Sequence, residues 1–62
     1  MPKPGEVYER DGERRTVRCV GMYMVTFYFA SPIAHGLSYE TTGGWDKWQA
    51  GATRVEKEAS DE

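Results

Sequence analysis

One cysteine and one histidine are all that these 62 residues offer to thiol or imidazole chemistry. Cys19 alone excludes an internal disulfide, and Cys19 with His35 falls short of the ligand set of a structural zinc. Long apolar runs are missing as well. None approaches the roughly 20 residues that a bilayer-spanning helix needs, so no membrane association is expected. The opening Met1-Pro2-Lys3-Pro4-Gly5 has no apolar segment of the kind a secretory signal carries. A lone thiol without an export signal predicts a reducing cytoplasm. Excess positive charge is also lacking. Eight Lys and Arg stand against ten Asp and Glu, a formal net charge of -2, which gives no overall attraction to nucleic acid or to an anionic membrane. The balance is uneven along the chain: residues 1–20 hold five cations and four anions, residues 43–62 three and five.

What the chain has in quantity is aromatic side chains, 13% of its residues: Tyr8, Tyr23, Phe27, Tyr28, Phe29, Tyr39, Trp45 and Trp48. A single domain of this size buries only about 60% of its unfolded surface, so large rings are the economical way to build a core. Self-association is a second route to buried area. The domain is expected to span residues 1–57, leaving 58–62 as a frayed acidic tail without a large apolar side chain.

Residues 15–29 combine β-branched and aromatic side chains in alternating polarity around Gly21, the pattern of a β-hairpin. Pro4-Gly5 signals a turn into a first strand over Glu6 to Arg10. Asp11-Gly12 is a two-residue hairpin signal; it sets Glu9 opposite Arg14 and Arg10 opposite Glu13, two attractive pairs. At the second turn, a three-residue loop Gly21-Met22-Tyr23 separates the faces better than a two-residue one. It pairs Cys19 with Val25, Val17 with Phe27, Arg18 with Thr26 and Thr16 with Tyr28. The inward set is then Val17, Cys19, Val25, Phe27 and Phe29. The outward set is Arg14, Thr16, Arg18, Met24, Thr26 and Tyr28. Ser31 to Gly36 reads as a loop around Pro32, and Leu37 to Thr42 alternates as a fourth strand. Gly43-Gly44 breaks it, Trp45 and Trp48 share one face of a helical turn that Gly51 stops, and Thr53 to Lys57 is a last strand with Val55 inward.

Five short antiparallel strands with one short helical turn before the last predict an all-β fold, a small SH3-like five-stranded barrel; an open sheet capped by the tryptophan-bearing helix is the alternative. The pattern Pro4-Gly5-x-x-Tyr8, Asp11-x-Glu13, Thr16-Val17 and Val25-x-Phe27, with an aromatic helical turn before a closing strand, resembles short proteins of enteric and other bacteriophages and prophages. It covers residues 4 to about 30. The resemblance implies a compact β-fold, a phage or prophage origin and hence a bacterial host cytoplasm. It assigns no activity and no functional residue.

Catalysis finds little support. A nucleophile needs a base within reach and a group to orient that base, and Cys19 with His35 is the one available combination. Cys19 at an inward position serves as a small apolar filler, and His35 in a Pro/Gly loop is a solvated side chain. Carboxylates are plentiful, but no spacing singles out a catalytic pair, and a chain this short has little room for a cleft. Gly43-Gly44 lacks the Lys-Ser/Thr ending of a phosphate loop. No enzyme activity, metal or cofactor is expected.

Binding is the better-supported class. Arg14, Thr16, Arg18, Met24 and Tyr28 fall together on the outer hairpin face. That mixture suits either a stacking surface for single-stranded nucleic acid or an anchor for a protein interface, although an exposed sheet face often serves solubility alone. Without a strongly basic stripe, nucleic acid is the second choice. A protein partner is the first, either a host factor or a second copy of the chain in a homodimer. Trp45 and Trp48 most simply close the core; the functional alternative has one of them, with Trp45 the named binding candidate, partly exposed beside Tyr39 or Tyr8 as a groove for an extended or Pro-rich ligand.

Overall fold

The computed structural model describes residues 1–55; the expected tail at 58–62, and the continuation of the last strand over Glu56 and Lys57, lie outside the described residues. The elements run β1 (Val7–Arg10), β2 (Glu13–Val20), β3 (Met24–Ala30), β4 (His35–Thr41), α1 (Thr42–Ala50) and β5 (Thr53–Val55). All five strands join one antiparallel sheet in the order β4-β3-β2-β1-β5. The fold class is therefore all-β, with one helix before the last strand. The expected barrel does not close. Among the described residues β4 and β5 are the two edges and share no ladder. The inner face is covered instead by α1, whose indoles fill the space around which strands would otherwise curl.

Local chemistry explains the turns. The carbonyl of Lys3 accepts from the N–H of Glu6 at 3.1 Å, with Pro4 in the second place and Gly5 at φ 92° in the third, which is a type II turn. Gly5 and Glu6 then both bond Val17, at 2.8 Å each, a bulge that bends the entry to β1. Asp11 at φ 52° and Gly12 at φ 83° form the type I′ hairpin expected from their sequence. The register is the expected one, Glu9 opposite Arg14 and Arg10 opposite Glu13. The charges use it only in part: Arg14 meets Glu9 at 3.8 Å, whereas Arg10 turns to the end of α1 and donates to the carbonyls of Lys47 and Trp48 at 3.2 and 2.9 Å.

The β2–β3 hairpin has the expected pairs Val17–Phe27 and Thr16–Tyr28 but not the expected three-residue loop: the Gly21 N–H donates to the Met24 carbonyl at 2.8 Å and closes a two-residue turn at Met22-Tyr23. Beyond Val17 it departs. A register shift places Cys19 opposite Thr26 and Val20 opposite Val25, so Arg18 and Cys19 together face one residue. Cys19 is exposed, contrary to its expected inward position, and the half-buried Val20 takes that place. The bulge exchanges a small thiol for a larger β-branched side chain at the inner surface, a gain in buried apolar area. Val55 is likewise not inward. It pairs with Val7, on the face opposite Tyr8.

The core consists of Tyr8, Val17, Val25, Phe27 and Trp45, with Val20, Phe29, Trp48 and Ala52 packed against it. Trp45 is its centre: its ring lies 5.8 Å edge-on from Tyr8, 5.4 Å from Phe27 and 5.4 Å from Trp48. Its indole N–H donates to Gln49 Oε1 at 2.6 Å, so the buried donor is satisfied. The helix is longer than the expected single turn. Gly43-Gly44 lies inside it rather than before it, because the Thr41 hydroxyl accepts from the Gly44 N–H at 3.0 Å and caps the N-terminus one residue after β4 ends. β4 also starts earlier than expected, at His35, once the Ser31 N–H donates to the Ala34 carbonyl at 2.7 Å and closes the Pro32 loop.

Candidate interaction surface

Strand alternation and the one-sided helix leave the outer face of β2, β3 and β4 uncovered. Across it run three rows fixed by the ladders: Thr16–Tyr28–Leu37, Cys19–Thr26–Tyr39 and Met24–Thr41. Residues in such rows sit about 5 Å apart on one face. Met24 is 47% exposed, Tyr28 49%, Leu37 53% and Tyr39 65%. Met22 and Tyr23 extend the block at the β2–β3 loop and are more exposed still. The result is a contiguous apolar and aromatic surface on a very small domain, in the company of one cation: the Arg18 guanidinium carbon lies 5.6 Å from the Tyr28 ring centroid.

Of the residues singled out from sequence, Thr16, Arg18, Met24 and Tyr28 are brought together here. Arg14 lies on the same face at its far end, opposite Ala30. There it lines a shallow hollow of about 320 Å³ with Glu9, Gly12, Ala30, Ser31 and Pro32, and its charge is engaged by Glu9. Trp45 takes no part in any surface. It is completely buried, because the helix drives it into the ring cluster on the other side of the sheet, and the groove beside Tyr39 or Tyr8 does not form around it. Leu37, Met22, Tyr23 and Tyr39 also belong to the surface; of these the sequence points only to Tyr39, and as a neighbour of the tryptophan groove rather than as part of this face. The alternation of Leu37, Tyr39 and Thr41 was visible in sequence, but its side of the sheet depends on the β3–β4 register.

Electrostatics within the surface are sparse. Arg10, Arg14, Arg15 and Arg54 each have a carboxylate partner, in Asp11, Glu9, Glu13 and Glu6 respectively. Among the described residues, Arg18 is the arginine without one. Cys19 and His35 share the outer face but pair with Thr26 and Ala30, four residues apart along β3 and so about 13 Å along the strand. They form no nucleophile–base couple at that separation. No group of three or more His, Cys, Asp or Glu side chains suited to a metal ion occurs among the described residues, and no described helix is long and apolar enough to cross a membrane.

Comparison with protein-family models, curated proteins and solved structures finds no match for this chain.

Proposed function

We propose that this protein is a non-enzymatic binding module, a phage or prophage accessory protein, that docks a protein partner on the outer face of β2, β3 and β4. The observation that carries this reading is the block of Met24, Tyr28, Leu37 and Tyr39, each close to half exposed or more on one sheet face. Tyr and Met are enriched at protein interfaces, and charged side chains are depleted from their centres. The origin rests on the resemblance carried by residues 4 to 30.

Nucleic acid is the second reading, favoured by the contact of Arg18 with Tyr28, which presents a cation beside a stacking ring. It is the weaker because phosphate binding draws on several free cations, and Arg14 is already held by Glu9. A photoreactive side chain placed at Tyr39, with one at the exposed Asp46 on α1 as control, separates the readings in cells. A discrete protein adduct from position 39 and none from position 46 supports protein docking. Adducts to nucleic acid, together with salt-sensitive binding of a labelled oligothymidylate that is lost in an Arg14→Ala/Arg18→Ala variant, establish the second reading. No adduct of either kind from position 39 removes the outer face from consideration.

A further inference from the structure

We propose that a second copy of the chain joins this one strand to strand at the β4 edge, which borders that face, about a two-fold axis through Ser38, so that the two outer faces form one larger docking surface; the inference rests on the protein-docking reading above.

The backbone hydrogen bonds determine what the edge offers. Thr42 N–H donates to the Tyr23 carbonyl at 2.9 Å and Ser31 N–H to the Ala34 carbonyl at 2.7 Å. In an antiparallel ladder, hydrogen-bonded and non-hydrogen-bonded pairs alternate. With Val25 opposite Glu40, Phe27 opposite Ser38 and Phe29 opposite Gly36, the residues of β4 that bond to β3 are Gly36, Ser38 and Glu40. Those of His35, Leu37, Tyr39 and Thr41 therefore point their N–H and C=O away from the sheet. The edge thus presents a row of four donor–acceptor positions, and the side chains at these positions all lie on the outer face.

Two copies of this edge complement one another in one register that uses its whole length. A two-fold axis at Ser38 pairs Leu37 with Tyr39 of the second copy, Tyr39 with Leu37, and His35 with Thr41 at each end, so every outward-pointing backbone group meets another. A one-residue slip in the sum of paired positions would set outward-pointing groups against groups already bonded to β3. The same axis places Glu40 opposite Gly36 on the inner face and leaves no like-charged pair facing across the seam. It also sets each exposed Leu37 against the Tyr39 of the other copy, with Tyr28 beside Leu37 and Thr26 beside Tyr39 on β3 of each chain. Natural edges are usually protected by Pro, Lys, bulges or a covering element. β4 carries neither Pro nor Lys in its seven residues, its ladder to β3 has no register shift, and α1 runs over the inner face rather than along the edge. Among the described residues the opposite edge, β5, spans Thr53–Val55. A small core makes added burial through a second copy especially useful.

The seven-residue edge is shorter than a standard interface of about 20–30 residues a side, so the dimer is expected to be concentration-dependent, with dissociation on the order of micromolar. Sedimentation equilibrium of the full chain is expected to give twice the 7.0 kDa chain mass at high concentration. Leu37→Pro removes an N–H that the sheet does not use, at a position where an edge strand tolerates proline. It is expected to return the chain to the single mass with an unchanged far-ultraviolet spectrum. Leu37→Lys, which keeps the backbone donor and adds charge, is expected to do the same should the proline variant not fold. The register has its own test. Ser38 and its copy form a non-hydrogen-bonded pair with Cα atoms about 4.5 Å apart, within disulfide range. In a Cys19→Ser background, Ser38→Cys is therefore expected to oxidise to a covalent dimer. The unaltered chain is expected not to, since its Cys19 lies on β2, two strands from the edge.

A single mass at millimolar concentration overturns the second copy, and a position-39 adduct to a different protein in the cross-linking experiment would then leave the docking face standing. A double mass that survives both Leu37→Pro and Leu37→Lys, or a Ser38→Cys dimer that never forms a disulfide, overturns β4 as the seam.

Discussion

The guanidinium carbon of Arg15 lies 4.1 Å from the ring centroid of Trp48, on the inner face of the sheet. The same group lies 4.4 Å from the Phe27 centroid and 5.8 Å from that of Trp45, while its Nε donates to Glu13 at 2.8 Å. A cation is thus enclosed by three rings and one carboxylate. Its Nη1 stands 3.8 Å from Glu40, too far for a hydrogen bond, and is buried without a hydrogen-bond partner among the described residues.

This arrangement makes the arginine stem and plane more valuable than its charge. Removing one partner of a buried pair costs about 3–5 kcal/mol. Glu13 keeps 30% of its side chain exposed and can rehydrate, so Arg15→Ala is expected to cost about 2–3 kcal/mol, mostly through lost ring contacts. Arg15→Met retains much of the packing and removes the orphaned donor, and is expected to cost less than about 1 kcal/mol. Urea denaturation midpoints decide it: equal losses for Met and Ala would show that the charge, not the packing, holds the site.

Glu6 links the N-terminal turn to the core and predicts an acid-side dependence of stability. The N–H of Lys3 donates to it at 3.0 Å and the Tyr8 hydroxyl at 2.8 Å; these bonds, with the nearby Arg54, hold its carboxyl below the ordinary 4.5. A carboxylate with a depressed folded value stabilises the fold above its unfolded value, and that contribution disappears as pH falls through the lower, folded one. Tyr8 works at the other end: burial first, then its bond to Glu6, raises its phenol above 10.0. Its contribution is present below pH 10 and is lost as pH rises beyond it. The stability gap between the protein and Glu6→Gln is expected to be constant between about pH 5 and 9, and to close on the acid side. A gap unchanged down to pH 2 would remove Glu6 from this role.

Cys19 sits on the outside of a bulge, and its reactivity should report that. A thiol reagent is expected to label the native protein at a rate within about tenfold of the unfolded chain, since exposed thiols need no opening step. Cys19→Ser is expected to change stability by less than about 0.5 kcal/mol, as an exposed substitution does. Strong protection of the thiol in the native state would place it back inside the sheet.

The residues that misled sequence reasoning are those whose fate depends on distant partners. Asp11-Gly12 announces its own turn, and Val17 and Phe27 announce their pairing through strict alternation. The bulge at Arg18 and Cys19 breaks that alternation without a local mark; its reason is Val20 finding the inner face opposite Val25. Arg15 shares parity with Val17 yet does not belong to the expected inward set. What accommodates it is Trp48, 33 positions later on a helix whose docking no local pattern states. The outer face was half legible for the same reason. Tyr28 follows from the first hairpin, whereas Leu37 and Tyr39 join it only through the β3–β4 register.

Gly43 and Gly44 occupy the first turn of α1, and their surroundings differ enough to predict opposite responses. A Cβ added at Gly43 would meet nothing within 4 Å, and its φ is not among the positive ones. Gly43→Ala is therefore expected to stabilise by about 0.5–1 kcal/mol through reduced unfolded-chain entropy and better helix propensity. At Gly44 the added carbon would lie 2.7 Å from Glu40 Oε1 and 3.1 Å from the Thr41 hydroxyl oxygen, the same hydroxyl that caps the helix. Either Glu40 swings away from its position 3.8 Å from Arg15 or the cap loosens, and loss of a cap alone costs about 1 kcal/mol. Gly44→Ala is thus expected to be neutral or destabilising where Gly43→Ala stabilises. Thermal midpoints of the two variants measure the difference, and an equal rise in both would mean that Glu40 and Thr41 exert no steric hold on the helix start.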